Sequence, residues 1–433
     1  MNLGIKSDDY RALFVTRESL AEDQYVFVRY KLKAAKGLSV SDVAAVVAIN
    51  GSLGTLTPLP HENADQRLKL AARVTVADDD GGVEIAYPMT LYRGDEGISQ
   101  LFQLMSYVVE YNYIEEFQIK DIQLPRKFSE HCDGPRFGVD GLRALFSVRD
   151  RPLLGLILKP RLGVEPEALV RPVTDALIGG VDFVVDDELI VNPTTAMNFA
   201  RRVPTIMKAV ANAETSTEKK KGYFVNVTGY PEHINRYTRE AVSMGATGIL
   251  LNAFCAGFTA IEYVARSDEL TVPIIVNNMG VGLLTRPGQS SGVSEAVIAK
   301  ICRFAGADAV HSGVSGSHWF VDDAFGDAIS ALSSPVLDMK PAWPVAAGGV
   351  TIANLLDNVL SFGRDCIIEA GNGLFSFPGG IKAGAEHFIK VLIALSGHTS
   401  RADAHNALMG LAKKDTGLHE ALKRYGYNSK KEL

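Results

Sequence analysis

The sequence predicts an α/β protein in which an N-terminal α+β domain precedes a C-terminal (β/α)8 TIM barrel. Two observations support this fold class. After about residue 136, eight short apolar runs alternate with segments whose apolar residues have helical spacing, which is the pattern of a parallel barrel. Before that point, strands, helices and a hairpin turn are mixed, as in a domain with an antiparallel sheet. A doubly wound open sheet is the alternative for the second part.

The N-terminal domain is assigned to residues 1–135, with a ferredoxin-like arrangement. An acidic turn with two glycines at 77–82 joins its second and third strands. The charged stretch 126–150 is predicted as a connection between the domains. The predicted strands are residues 24–32, 70–76, 83–87 and 117–124, and the predicted helices are residues 39–49 and 97–111.

The barrel domain is assigned to residues 136–433. Its strands are continuous apolar runs, which is typical of parallel strands buried on both faces. The tail beyond residue 397 is predicted as exposed helices with a frayed end at 428–433. The predicted strands are residues 153–159, 181–185, 223–227, 248–252, 273–276, 309–311, 345–347 and 366–370, and the predicted helices include 165–177, 235–244, 294–305 and 352–360.

Composition narrows the function classes. The formal net charge of −6 argues against nucleic acid or an anionic membrane as the partner, although a local positive site could still bind a small anion. The 4 cysteines are far apart without a CxxC pair, which predicts reduced thiols in a cytoplasmic protein. The first residues lack the features of a signal peptide, and no apolar run reaches the ~18 residues of a membrane span.

Residues 179–188 are the stretch that suggests chemistry. A glycine turn and an apolar strand end there in Asp186, Asp187 and Glu188. Barrel enzymes build their active sites at the carboxyl ends of the strands. Two carboxylates brought together there predict a Mg²⁺ site formed by Asp187 and Glu188, and a substrate oxygen could complete it. The alternative is a polar strand exit with solvated acids.

Other predicted strand ends carry polar residues. Lys159 and Arg161 follow the first strand, and Lys159 is predicted as a partly buried amine. His311 ends the sixth strand as a candidate catalytic group or a structural histidine. Glycines after strands seven and eight would let backbone N–H groups approach a phosphate, although ordinary turns also use glycine. These candidate phosphate-binding residues are Gly348, Gly349, Gly371 and Asn372.

Together these motifs resemble the large-subunit family of ribulose bisphosphate carboxylase (RuBisCO). The similar segments lie in the same order along nearly the whole chain. The resemblance implies a (β/α)8 barrel behind an α+β domain, and a head-to-tail homodimer whose active site includes residues of the neighbour's N-terminal domain. Here those residues would be Asn50 and Thr55. The similar segments are residues 54–55, 120–125, 151–155, 156–163, 179–188, 311–313, 344–349 and 371–373.

Several positions depart from the pattern of the true carboxylases. There, a lysine precedes the Asp-Asp-Glu, and its carbamate is both a metal ligand and the general base; here that residue is Val185. Arg161 replaces a second lysine, and Asn277 with Asn278 replaces a histidine–arginine pair. His318 would correspond to the lysine of the closing loop. The resemblance therefore implies a RuBisCO-like protein that does not fix CO₂ and whose Mg²⁺ site is weakened.

The loss of a base favours a reaction that forms the enolate by expelling CO₂ from a β-keto acid. Such a reaction needs stabilisation of an oxyanion and a later proton donor, for which Lys159 is suitable. The resemblance implies a decarboxylase or transcarboxylase/hydrolase of the oxo-isoapionate phosphate type. The alternatives are a keto–enol or proton-transfer isomerase of a methylthioribulose-phosphate-like substrate, with His311 or His318 as base, and a non-enzymatic phosphosugar-binding protein.

Overall fold

The computed structural model describes residues 7–93, 97–107, 111–317 and 325–427. In these residues, the predicted strands occur in the predicted order, and one further strand, Ser291–Val293, lies among them. The strands are β1 (Tyr25–Ala34), β2 (Arg73–Ala77), β3 (Gly82–Pro88), β4 (Ile114–Gln123), β5 (Leu153–Ile157), β6 (Phe183–Val185), β7 (Gly222–Asn226), β8 (Gly248–Asn252), β9 (Ile274–Asn277), β10 (Ser291–Val293), β11 (Ala309–His311), β12 (Trp343–Ala346) and β13 (Ile367–Ala370).

Most helices lie on the outer face of the barrel or against the N-terminal sheet. Short 3₁₀ helices at Ser7–Leu13, Arg126–His131 and Ile352–Asn354 add to them. The α-helices are α1 (Val40–Ser52), α2 (Ala64–Leu70), α3 (Ile98–Ser106), α4 (Gly138–Phe146), α5 (Pro166–Ile178), α6 (Phe199–Thr217), α7 (Pro231–Ser243), α8 (Ala253–Ala256), α9 (Phe258–Ala265), α10 (Gly282–Thr285), α11 (Glu295–Phe304), α12 (Phe325–Ser333), α13 (Leu355–Phe362), α14 (Asn372–Phe375), α15 (Ile381–Leu395), α16 (Arg401–Lys414) and α17 (Thr416–Arg424).

The N-terminal domain has the predicted ferredoxin-like arrangement. Its sheet has the order β4-β1-β3-β2, with antiparallel pairing, and helices connect β1 to β2 and β3 to β4. A capping box begins α1, because the Ser39 hydroxyl accepts from the Asp42 N–H and the Asp42 carboxylate accepts from the Ser39 N–H. The second strand begins at Arg73 rather than residue 70, since α2 continues to Leu70.

One strand of this sheet comes from the other part of the chain. β10 lies between β9 and α11 in sequence, yet it pairs in parallel with β4 at the edge of the N-terminal sheet. A single buried core also runs from the N-terminal sheet into the layer between barrel and helices. The predicted domain boundary at 135/136 stays a prediction. The pairing of β10 with β4 joins the parts of the chain on either side of it.

The predicted barrel is confirmed, and the doubly wound alternative is wrong. Eight parallel strands close in the order β5-β6-β7-β8-β9-β11-β12-β13. Their bounds differ from the predicted ones by two residues or fewer at each end, and β8 and β11 match at both ends. Every residue of β7, β8 and β9 is buried, as expected for parallel strands covered on both faces.

Aromatic side chains fill the amino-terminal half of the barrel. The rings of Phe183 and Phe224 lie 4.8 Å apart inside it. They fit because Gly248 has no side chain, and a Cβ there would overlap the Phe224 ring. Helix α4 closes this end, and its Phe146 ring lies 5.6 Å from that of Phe183. The interpretation of 126–150 as a plain connection was therefore wrong, because tertiary packing stabilises a helix despite two glycines.

Helices α16 and α17 form the predicted helical tail beyond residue 397. They are not fully exposed, since buried residues such as Leu408 and Leu422 join the main core. The predicted frayed end at 428–433 lies outside the described residues, as do residues 108–110 of the predicted helix 97–111. Among the described residues, the structure contains no helix with the length and apolar character needed to span a membrane.

Candidate active site

Strand register determines which side chains enter the mouth of the barrel. Ile157 of β5 pairs with Val185 of β6, and both contact the apolar interior. Because successive side chains of a strand point to opposite faces, Lys159 and Asp187 follow on the same inner side. Asp186 lies between Val185 and Asp187 and faces the outer helices, where it contacts Arg202.

The first wall of the mouth is an acid held by two cations. The Asp187 side chain is fully buried, and its two oxygens bind the Lys159 ammonium and the Arg161 guanidinium. Arg161 Nε lies 2.5 Å from Oδ1, which also accepts from the Leu189 N–H at 3.0 Å. Burial alone would raise the pKa of Asp187, but the hydrogen bonds from Arg161 and Lys159 outweigh it and lower the pKa. Asp187 is therefore ionised at neutral pH.

The same contacts do not fit the predicted Mg²⁺ site. Both oxygens of Asp187 already bind cationic side chains, and Arg161 also lies 3.5 Å from Glu188. Val185 is apolar and cannot supply a third ligand. Within the described ranges there is no group of three or more His, Cys, Asp or Glu side chains arranged to hold a metal ion. A cation would have to displace Arg161 or Lys159 to reach Asp187.

The opposite wall contains His311, Asn277 and Glu369. His311 Nδ1 lies 3.1 Å from Asn277 Nδ2, and Nε2 lies 3.1 Å from a Glu369 oxygen. The second contact is poorly aligned for a hydrogen bond, since neither atom has a hydrogen-bond partner among the described residues. Burial lowers the pKa of His311, but the negative charge of Glu369, assisted by that of Glu188, has the larger and opposite effect. The pKa of His311 is therefore raised overall.

These two walls enclose one cavity of about 430 Å³, which is within the usual size for a small-molecule site. Lys159 and Arg161 line it with side-chain exposures of 25% and 41%, so both keep donors for a ligand. Its lining includes Lys159, Arg161, Glu188, Asn277, His311, Gly348, Gly349, Glu369, Gly371, Asn372, Gly373 and Tyr425.

The glycines after β12 and β13 form one side of this cavity. Gly348 and Gly349 have φ of 102° and 78°, a left-handed backbone that favours glycine. Gly373 packs against the Val350 carbonyl, where a Cβ would overlap the oxygen. The backbone N–H groups of Gly348 and Gly349 make no hydrogen bond to any described residue. The arrangement is compatible with a bound phosphate, which stays a prediction.

Two sets of predicted residues lie elsewhere. Asn50 donates to the Tyr113 hydroxyl, and the Thr55 hydroxyl accepts from Arg67, so both belong to the N-terminal domain and do not line the cavity of their own chain. This placement leaves the partner-subunit role a prediction. His318 lies outside the described residues.

Glu369 and Tyr425 line the cavity but were not among the candidate site residues selected from the sequence. Glu369 is 1% exposed and faces inward two positions after Ile367, so the inward alternation of β13 was the available signal. Tyr425 follows α17 and approaches the cavity from the tail, with its hydroxyl 3.4 Å from the Gly373 carbonyl. No local pattern indicated that the tail would return to the mouth.

Two family models match this chain. Residues 14–128 match the N-terminal domain of the ribulose bisphosphate carboxylase large chain, and residues 138–425 match its catalytic domain. Among curated relatives, a ribulose bisphosphate carboxylase of Archaeoglobus fulgidus is 28% identical over 84% of this chain and 88% of its own length. A ribulose bisphosphate carboxylase-like protein of the same organism is 28% identical over 88% of this chain and 90% of its own.

Solved structures show the same similarity. An octameric RuBisCO from Pyrococcus horikoshii superposes with a TM-score of 0.84 at 26% identity and covers 96% of this chain and 98% of its own. A dimeric archaeal RuBisCO from Hyperthermus butylicus superposes with a TM-score of 0.83 at 26% identity and covers 97% of this chain and 100% of its own.

Proposed function

This chain belongs to the ribulose bisphosphate carboxylase large-chain family, and we propose that it is an enzyme that forms an enolate from a phosphorylated keto sugar or sugar acid without fixing CO₂. The observation that carries the proposal is Val185. Its side chain is 1% exposed and packs in the apolar interior of the barrel, below Asp187. A valine there cannot form a carbamate, so it can neither bind a metal nor remove a proton.

A decarboxylation is the reaction best suited to this cavity. When a β-keto acid loses CO₂, the electron pair of the broken C–C bond moves onto the keto oxygen, so no base is needed to form the enolate. Lys159 and Arg161 stabilise this developing charge, because both cations line the cavity. Their pairing with Asp187 fixes their positions before the substrate binds. We therefore favour a decarboxylase or transcarboxylase/hydrolase of the oxo-isoapionate phosphate type.

The glycine-lined side of the cavity would hold the phosphate of the substrate. Backbone N–H groups without a partner are suited to an anion, and the nearby cations add attraction. The cavity volume of about 430 Å³ suits a substrate of this class. Mg²⁺ is what family membership predicts, but the residues present do not fit a metal site, and none of these roles depends on one.

An isomerase is the second candidate, and a specific observation favours it. His311 and Glu369 face the same cavity, so a proton-transferring group is available although Val185 is not. Such an enzyme would remove a proton next to a carbonyl and return it to a neighbouring carbon. Solvent deuterium would then enter recovered substrate, whereas a decarboxylase would place deuterium only in the product.

We also propose that the active enzyme is a homodimer. The dimeric RuBisCO of Hyperthermus butylicus has the same fold along nearly its whole length. In a head-to-tail dimer, Asn50 and Thr55 would approach the partner's cavity and complete a site that one chain leaves open. The proposed partners are a small phosphorylated substrate and a second copy of the chain, in a cytoplasmic protein.

The test uses purified protein and synthetic oxo-isoapionate phosphate, with CO₂ release as the readout. Wild type should release CO₂, and Lys159→Met should reduce turnover by about 100- to 1000-fold. Lys208→Met, on the exposed face of α6, is the matched control and should leave turnover unchanged. Deuterium in recovered substrate would instead support the isomerase, and ligand binding without any turnover would support a binding protein.

A further inference from the structure

Glu369 is a buried carboxylate whose hydrogen bonds are not made. It is the inward-facing residue of β13 after Ile367 and is 1% exposed. Neither of its oxygens has a hydrogen-bond partner among the described residues, although the residue lines the cavity. Burying an ionisable group without partners is costly, so such groups persist mainly where they serve a function.

His311 lies next to Glu369 and is held from its other side. Asn277 Oδ1 accepts from the Met279 N–H at 2.7 Å and from Asn252 Nδ2 at 3.2 Å, which turns its Nδ2 towards His311. Because an amide nitrogen only donates, His311 Nδ1 must accept. The proton of the neutral ring is then on Nε2, the atom that lies 3.1 Å from Glu369.

These contacts indicate different roles for His311 and Glu369. His311 Nδ1 accepts from Asn277, and Nε2 is buried against Glu369, so His311 does not present a nitrogen to a ligand. Glu369 keeps lone pairs that no protein donor uses, and it shares its cavity with Lys159. The contact is thus suited to orienting the carboxyl group.

We propose that Glu369 is a catalytic residue that transfers a proton at the substrate carbon, and that His311 is its positioning residue. This inference rests on the proposed function. After CO₂ leaves, the enolate carbon forms a C–H bond with the carboxyl proton of Glu369, the O–H electron pair stays on the carboxylate, and the electron pair on the enolate oxygen re-forms the carbonyl. Solvent returns a proton to Glu369 when the product departs. The acid thereby supplies the proton-transfer function that Val185 cannot.

The first experiment compares Glu369→Gln with wild type in heavy water, with oxo-isoapionate phosphate as the probe. Wild type should place deuterium on one face of the product carbon. Glu369→Gln should reduce turnover by about 100-fold or more and give deuterium on both faces. His311→Gln should also reduce the facial selectivity, which a purely structural role would not change. Full turnover and selectivity in Glu369→Gln would overturn the inference, whereas no reaction by wild type would overturn the proposed function instead.

The second experiment needs no substrate. Glutamine keeps the size of this side chain, whose oxygens make no hydrogen bond to the described residues, and loses only the 3.1 Å contact with His311, so Glu369→Gln should leave Tm within about 1 °C of wild type. Glu84→Gln is the matched control, because Glu84 is also buried in a sheet but binds Arg17 and Thr75, and it should lower Tm. A fall in Tm for both variants would mean that Glu369 stabilises the fold, which would overturn the inference.

Discussion

Asp186 and Asp187 are consecutive residues at the end of one strand, yet they form two unlike clusters. Asp186 faces outward and accepts from Arg202 at 3.0 Å, the Tyr223 hydroxyl at 2.6 Å and the Asn226 N–H at 2.9 Å. The side chains of Asp186 and Arg202 are both 0% exposed. Asp187 faces the mouth of the barrel and binds two cations that are partly exposed.

The two clusters differ in whether their cations keep hydrogen-bond donors that a ligand can use. Arg202 also donates to the carbonyls of Met197 and Val191, so its donors are used within the protein and the cluster is closed. Lys159 and Arg161 line the cavity and can bind an anionic ligand while Asp187 holds them. A closed ion cluster stabilises the fold, whereas an open cluster positions cations for a bound ligand. Substitutions in either cluster test this contrast.

The largest effect is expected for Asp186→Asn. The substitution leaves Arg202 buried without its counter-charge, and removal of one partner of a buried pair costs about 3–5 kcal/mol of unfolding free energy. Urea unfolding measures the loss. Turnover per folded molecule should stay within about twofold of wild type, because the residue faces away from the cavity. A large loss of turnover with unchanged stability would contradict the contrast.

Asp187→Asn should affect turnover more than stability. Turnover should fall by about 10- to 100-fold, because Lys159 and Arg161 lose the group that positions them. The free energy of unfolding should change less than in Asp186→Asn, since both cations can turn to solvent. Parallel urea unfolding and CO₂-release assays of the two variants provide the comparison. Equal destabilisation by both would show that the two clusters do not differ in kind.

Arg161→Ala tests whether the open cluster excludes a metal ion. Titration calorimetry of ligand-free wild type with Mg²⁺ should show only weak binding. Arg161→Ala removes a competing positive charge and should raise the affinity by about tenfold, through Asp187 and Glu188. The double variant Arg161→Ala with Asp187→Asn is the control and should lose that gain. Tight binding by wild type would show that Mg²⁺ displaces Arg161.

The smallest effect is the pH dependence of stability. Hydrogen bonds from Arg161 and Lys159 overcome burial and lower the folded-state pKa of Asp187, so the unfolded chain binds the proton first as pH falls. The contribution of Asp187 is therefore complete above the unfolded pKa of about 3.9 and is lost as pH falls through the folded pKa. Wild type and Asp187→Asn should converge in unfolding free energy below about pH 4. A difference that widens there would contradict the lowered pKa.

Most of the architecture could be predicted because it depends on local pattern. The bounds of β8 and β11 follow directly from short apolar runs between glycines or polar residues. Helix α4 and strand β10 were missed for the opposite reason. Two glycines weaken α4, which forms because it closes the barrel, and the three residues of β10 become a strand only by pairing with β4.

The candidate site was predicted less completely. Sequence pattern located Lys159, Arg161, Asp187 and His311 at strand ends, and the structure brings them to one end of the barrel. It could not show that Lys159 and Arg161 already bind both oxygens of Asp187, and it did not select Glu369. Those facts depend on which side chains meet across the mouth.

By itself, the sequence determined the barrel, the strand ends that carry polar residues, and the valine at position 185. These features depend on the order and spacing of residues along each strand. The tertiary structure alone decided which of two neighbouring acids faces the cavity, which cations it binds, and that Glu369 and His311 meet. Such contacts join residues far apart in the chain, and their energy depends on register, distance and burial, which exist only once the barrel has closed.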